Sequence, residues 1–322
     1  MTCKSCDCAV GFVLVLACVA PAPAQYPVRP VSIITPTAPG GGADTLLRLI
    51  AQPLAERLGQ PVVVENRAGA STMIGTETVA RSAPDGYRLL MAVASLAINP
   101  SIYKRVPYDA LRDFTPITQT GSLPNILVVH PSLPAKSVKE LIAVAKARPG
   151  EIVFASTGAG GSPHLSVELF LLLTGTRMLH VPYKGSTPGV IDLIAGRVSV
   201  MMPGIVGAGP HVRSGRLRAL GVTTAKRAAA MPDLPTLAEA GVPGYESVQW
   251  NGLLAPSGTP KEIIARLHKE VTAVLLTQDI RERLAREGTE VVAGSPEDFA
   301  AHIRAEMAKW AKVAKSAGIQ PE

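Results

Sequence analysis

Runs of apolar residues four to six long alternate with longer stretches whose apolar positions recur every three or four residues. "VSIIT" (31–35), "PVVVE" (61–65), "RLLMAV" (88–93), "ILVVH" (126–130), "IVFAS" (152–156), "MLHVPY" (178–183), "VSVMM" (198–202) and "LRALGV" (217–222) read as strands. Helical periodicity lies between them, at about 43–58, 72–83, 137–148, 163–174, 187–196 and 207–215. Strand and helix in alternation predict βαβ units and mainly parallel sheets. Ser137 with Glu140 makes a capping box, and Pro260 after Thr259 is placed for the first turn of another helix. From about residue 259 the pattern is helical again, through "IRERLARE" and "PEDFAAHIRAEMAKWAKVAK". That order predicts a tail that wraps back onto the first domain.

Glycine is concentrated where strands give way to helices. In "TPTAPGGGADTLL", Gly40, Gly41 and Gly42 follow the first strand, and Asp44 or Thr45 is read as the helix start. In "STGAGGSPHLSVELF", Gly158, Gly160 and Gly161 precede Ser162, read as an N-cap, with Pro163 as the first helical residue. "PYKGSTPG" (182–189) again follows a strand and precedes a helix, and "ENRAGASTMIG" (65–75) resembles the first loop in composition. Loops at the carboxyl ends of parallel strands face the ligand crevice of an open sheet, and helix starts offer N–H groups to anions. A P-loop is excluded because no Gly-Lys-Ser/Thr follows, and the dinucleotide fingerprint fails on its glycine order. The motif alone leaves an anion cradle and a plain turn as equals. Ser162 and Thr157 are open to a ligand role or to simple capping. His164 is equally an ordinary helix-start histidine, and Lys184 and Tyr183 are equally surface residues.

The chain has 322 residues, 47% hydrophobic and 4% aromatic, with 29 Gly and 28 Pro dispersed along it, which fits one large or two medium globular domains. The N-terminus carries Lys4, an apolar run from Ala9 to Ala20 and Ala22-Pro23-Ala24, the layout of a cleaved secretory signal peptide over 1–24. Lipid attachment at Cys18 is a second reading, which Leu16 before Ala17 fits poorly. All four cysteines, Cys3, Cys6, Cys8 and Cys18, fall in this leader, so the chain from Gln25 onward has neither disulfides nor thiolate metal sites. The expectation is a soluble exported product. Cleavage removes Lys4 and Asp7 together and leaves the net charge at +7. A basic exported protein attracts acidic small molecules, although much of the excess sits on solvated helical faces. Nucleic acid is not an expected partner, because the basic residues are not interleaved with aromatics.

Catalysis finds no motif. "GGSPH" is not a nucleophile elbow, and the six histidines show no close ligand spacing. No metal and no cofactor is implied.

In order, "PGGGADTLLRLIAQPLAERLGQPVVVENRAGAS", "APDGYRLLM", "DFTPIT", "FASTGAGGSPHLSVELF", "HVPYKGSTPGVIDLIAGRVSV", "LRALGVTTAKR" and "MPDLPTLAEAGVPGYE" resemble the Bug family. These are the TctC-type periplasmic substrate-binding proteins of tripartite tricarboxylate transporters. The resemblance covers essentially the whole chain after the leader. It implies an α/β, two-lobed periplasmic-binding-protein fold (Venus flytrap, type II) with mainly parallel sheets. The lobes would be 25–125 with 254–322, and 126–253. It implies a noncatalytic monomer that captures a small organic acid and delivers it to membrane permease subunits. Carried over by residue, the ligand's carboxylate falls to Pro39, Gly40, Gly41, Gly42 and Asp44, to Ser95 in "ASLAINP", and to Thr157, Gly158, Gly161, Ser162 and His164. Tyr183, Lys184 and Gly185 match the family's "PYKG" and would come from the other lobe.

Two departures bear on the ligand. Where many members read "VDVMFD", this chain has "VSVMMPG", with Ser199 and Pro203 at the acidic positions, which points away from an amino acid and toward a carboxylate without an ammonium group, Met201 and Met202 lining an apolar end. "AGAST" also replaces the commoner Gly-rich wall after "ENR". Alternatives are a binding partner of a membrane sensor kinase, an amino-acid or aromatic-acid binder, and a secreted hydrolase, for which no motif exists.

Overall fold

The computed structural model describes residues 26–158, 161–183 and 185–321; the expected leader with its cysteines, and Lys184, lie outside them. The first unit runs β1 (Val31–Thr35), α1 (Gly42–Leu58), β2 (Val62–Asn66), α2 (Met73–Ala80), β3 (Arg88–Val93), α3 (Ser95–Ile102) and β4 (Phe114–Leu123). The second runs β5 (Ile126–Val129), α4 (Val138–Ala147), β6 (Val153–Ser156), α5 (Ser162–Thr174), β7 (Leu179–Pro182), α6 (Ser186–Ile194), β8 (Val200–Met201), α7 (Ile205–Arg213) and β9 (Arg218–Val222). The chain then returns through β10 (Gln249–Pro256), α8 (Lys261–Leu275), α9 (Gln278–Arg286), β11 (Glu290–Val291) and α10 (Pro296–Ser316).

Two sheets result, ordered β11-β4-β10-β3-β1-β2 and β7-β6-β8-β5-β9. β1 pairs in parallel with β2 and β3, and β6 with β7 and β8. β10 runs antiparallel to both β3 and β4, and β5 to both β8 and β9. Four strands of each sheet therefore share one direction, with one antiparallel strand inserted among them, and the first sheet carries a second antiparallel strand, β11, at its edge beside β4. The inserted strands are the ones the chain uses to change sheets.

Continuous apolar strands are what a sheet covered on both faces requires. In β1, Ile33 and Ile34 point to opposite sides and both are fully buried. Ile33 joins Leu47, Ile50, Leu253 and Leu267 beneath α1 and α8. Ile34 joins a core that runs on through Phe154, Leu165, Phe170 and Trp310, so that α10 packs on residues of both sheets. The tail does wrap back onto the first unit, and it also spans to the second. β10 enters the first sheet at Gln249, ahead of the expected division at 253/254.

The caps follow local chemistry. Ser137 Oγ accepts from Glu140 N–H at 3.2 Å, while Glu140 reaches back to the Lys136 N–H at 2.7 Å. Pro260 is one position earlier than expected: its carbonyl accepts from Ile263 and Ile264, making it the N-cap of α8. Among the described residues, no helix is long and apolar enough to cross a membrane.

Gly252 in β10 leaves room for α10. A Cβ there would lie 2.2 Å from Phe299 Cζ, and Phe299 is buried. Gly252→Ala is expected to lower stability by about 1–3 kcal/mol through overpacking, read as a shift in the urea midpoint, with Phe299→Leu in the same chain recovering part of the loss.

Candidate functional site

The carboxyl ends of β1, β3 and β6 open into one cleft of about 400 Å³. The first sheet contributes Thr37, Gly42, Ala43, Val93, Ala94, Ser95 and Leu123, and the amino end of β10 adds Gln249, Trp250 and Asn251. Thr157, Gly161, Ser162 and Pro163 face them from the second sheet. A larger cavity of about 620 Å³ lies elsewhere, between α9, β11 and Ala229. We place the site in the smaller one, because two glycine-capped helix starts converge on it.

Those starts are nearly superimposable in conformation. Gly41 caps α1 at φ −71°, ψ 161°, and Gly161 caps α5 at φ −70°, ψ 164°, in neither case with a side-chain cap bond. α6 and α7, in the same sheet-to-helix position, are also capped by glycine, Gly185 and Gly204. α4 and α10, by contrast, carry serine caps whose hydroxyls accept from Glu140 N–H and Asp298 N–H. The glycines leave the first N–H groups of these helices without side-chain acceptors, at the positive ends of the helix dipoles.

Ser162 corrects the expectation that it caps α5. The helix begins a residue earlier than read, Gly161 takes the cap, and Leu165 N–H bonds to the Gly161 carbonyl at 3.0 Å. The Ser162 hydroxyl is thereby released, and it is buried without a protein partner. Two further lining residues carry buried unpartnered donors, Trp250 Nε1 and Asn251 Nδ2. None of the described lining residues is charged.

Asp44 is part of the first loop's framework. α1 starts at Gly42, ahead of Asp44, and the carboxylate turns back to the loop it follows. It is 2% exposed and accepts from Gly40 N–H (2.9 Å), Arg48 Nε (3.0 Å) and Asn66 Nδ2 (2.8 Å). Burial alone would raise its pKa, but these donors outweigh it and hold the carboxyl below its ordinary 3.8. Pro39 and Gly40 are exposed on the same loop, and Gly40 takes φ +79°.

Ser95 starts α3, a helix the pattern did not reveal, and its hydroxyl meets Thr72 Oγ1 at 2.6 Å. Thr72 ends three successive left-handed residues, Ala70, Ser71 and Thr72, at φ 45°, 50° and 74°. Such backbone costs on the order of 1–3 kcal/mol per residue. Asn99 holds it in place by donating to the Ser71 carbonyl at 2.8 Å. This is the segment whose sequence departs from the Gly-rich form, and it stands behind Ser95 and is not itself among the lining residues.

The remaining described candidates are not among the residues that line the cleft. His164 is buried, stacked on His180 with centroids 3.8 Å apart, and its Nε2 is 3.4 Å from Glu168 Oε1. Burial, then the neighbouring His164, drives the His180 pKa down to about 4. Gly158 turns the second loop at φ +143°. Tyr183 donates to Asp192 Oδ2 at 2.8 Å, and burial, then that bond, raises its pKa. Gly185 begins α6 beside it. Met201 and Met202 do not line an apolar end: strand alternation sends Met201 into the core under α6 and α7, and Met202 to the opposite face against Tyr245. Ser199 precedes β8, at the end away from the cleft, where its N–H bonds to Val153. The apolar wall is formed instead by Ala43, Val93, Ala94, Leu123 and Trp250.

Comparison with known proteins follows the same outline. Residues 46–319 match the tripartite tricarboxylate transporter family receptor. Protein BugT of Bordetella pertussis is 40% identical, with 92% of this chain and 91% of that protein aligned. A Rhodopseudomonas palustris protein solved with adipate superposes with a TM-score of 0.77 at 41% identity, covering 92% of this chain and all of that one. MatC from the same organism, with bound malate, gives 0.72 at 32%, over 89% of this chain and 99% of that one.

Asp44→Asn replaces one acceptor oxygen with a donor that faces donors. It is expected to cost about 1–3 kcal/mol at neutral pH. A carboxyl whose pKa is lowered on folding stabilises the protein above its unfolded value, and this is lost as pH falls through the folded value. The gap between wild type and variant should therefore close below pH 3.8, as checked by denaturant titration across pH.

Proposed function

Since this chain belongs to the tripartite tricarboxylate transporter receptor family, we propose that it captures a small organic carboxylate in the cleft between its two sheets and presents it to membrane permease subunits. The observation that carries the reading is the unpaired Ser162 hydroxyl, buried between two glycine-capped helix starts. A carboxylate presents two acceptor oxygens, and backbone N–H groups at helix starts with a hydroxyl beside them satisfy both.

Gly40, Gly41 and Gly42 hold one side of that group, and Thr157, Gly161 and Ser162 the other, with Pro39 and Asp44 shaping the first loop and Gly158 the second. Ser95 and Asn251 serve the remainder of the ligand. His164, Tyr183 and Gly185 are then supports or rim residues. The lobes divide at Asn125 and at the entry to β10, and they close by rotating about those two crossings. The protein works as a periplasmic monomer and transforms nothing.

The ligand lacks an ammonium group, because an ammonium calls for a carboxylate neighbour and none of the described lining residues is acidic. The adipate and malate of the two solved relatives are acids of this kind. Of the two positions where the family's acids are replaced, Ser199 precedes β8, away from the cleft, and Pro203 follows it at the carboxyl end.

A thermal-shift screen against mono-, di- and tricarboxylates, amino acids and aromatic acids tests the reading. A cognate acid at a hundredfold excess over its Kd adds about 2.7 kcal/mol of stability. Ser162→Ala is expected to weaken that acid about 10- to 100-fold, the loss of one charge-assisted hydrogen bond. Tighter binding of aspartate or glutamate than of the matching dicarboxylates overturns the ligand class, and silence across all acids overturns the function.

A further inference from the structure

Behind the second-sheet loop, three rings lie face to face. Phe154 on β6, His180 on β7 and His164 on α5 stack with His180 in the middle, 4.8 Å from Phe154 and 3.8 Å from His164. Glu168 reaches His164 from its own helix. His180 turns its Nε2 to Ser156 Oγ at 2.7 Å, and Ser156, fully buried, is the last residue of β6 before the cleft loop.

Ser156 Oγ has three partners. Besides His180 Nε2 it lies 3.2 Å from the Gly158 N–H and 2.9 Å from the Gly158 carbonyl. A hydroxyl has one proton and two lone pairs. Were Nε2 bare, it and the Gly158 carbonyl would compete for that single proton. With a hydrogen on Nε2 every contact is made at once: Nε2–H and the Gly158 N–H donate to Oγ, and Oγ–H donates to the Gly158 carbonyl. The three distances thus select the Nε2–H form of the ring.

Gly158 sits at φ +143°, and among the described residues a Cβ built on it would find no atom within 4 Å. Thr157, held between Ser156 and Gly158, is on the cleft wall.

We propose that His180 is a positioning residue for the cleft: its Nε2–H holds Ser156, and Ser156 clamps the Gly158 turn that presents Thr157. The clamp stands on its own geometry, and its consequence for affinity rests on the carboxylate reading given above. Neither His180 nor Ser156 lines the cleft.

Three variants separate the donor from the packing. His180→Phe keeps a stacking ring without the donor, His180→Gln restores a donor without the ring, and Ser156→Ala removes the clamp with the smallest change. Amide exchange at Gly158 is followed by NMR on the ligand-free protein, and Kd values for adipate and malate by calorimetry. His180→Phe and Ser156→Ala are each expected to speed Gly158 exchange and to weaken whichever acid binds, both by roughly tenfold, with amides inside α5 unchanged. The double variant should be no worse than Ser156→Ala alone, and His180→Gln should recover most of both effects. Unchanged Gly158 exchange in Ser156→Ala, or additive losses in the double variant, overturns the clamp; Ser156→Ala decides the matter even if His180→Phe does not fold. A wild type that binds neither acid, with Gly158 exchange responding as stated, supports the clamp and counts against the carboxylate reading alone.

Discussion

The chain changes sheets twice, and both crossings are tied to each other at Asn125 and Thr223. Thr223 N–H donates to the Asn125 carbonyl at 3.0 Å, Asn125 N–H donates to Thr223 Oγ1 at 3.1 Å, and Ser247 N–H then donates to the Thr223 carbonyl at 2.9 Å. The outgoing and returning strands, β5 and β10, are each inserted antiparallel between strands of the opposite direction, and loops at the carboxyl ends of both parallel sets line one cleft.

Given that arrangement, the site needs little special chemistry. Each sheet offers a helix start whose cap is glycine, and serine caps occur at α4 and α10, whose hydroxyls turn to their own helices. Side chains near the cleft are occupied in holding backbone: Asp44 fixes the Gly40 loop, Ser156 the Gly158 turn, and Asn99 the left-handed Ala70–Thr72 segment. Free donors remain at Ser162, Trp250 and Asn251.

How much of this is visible in the residues depends on whether the signal is local. Apolar strands and glycine-to-helix junctions are local, and they mark nearly all the elements around both loops. β4 and β10 are not marked in this way. "FTPITQTGSL" and "QWNGLLAP" carry Thr, Gln, Gly, Asn and Pro in central strands, which are acceptable there only because neighbours and α10 shape the space. Gln249, Trp250 and Asn251 were missed for the same reason. α3 is short and contains Pro100, so it lacks a helical signature. The pattern in "VSVMM" does not say that both faces of this strand are covered, so that Met201 and Met202 each enter a core, and a glycine before a serine hides which of them caps α5. His180 offered no signal, since its partner Ser156 becomes a neighbour only when β6 and β7 pair.

A binding wall made of uncharged donors has a particular reach. Dipoles and hydroxyls act over a few ångströms, whereas the net charge of +7 acts over a Debye length, about 8 Å in physiological salt. Attraction and recognition are thereby separated in this molecule. Added salt should slow the arrival of an acid far more than it loosens one already seated, so ionic strength governs how often the cleft is visited and the glycine-capped helices govern how long a visitor stays.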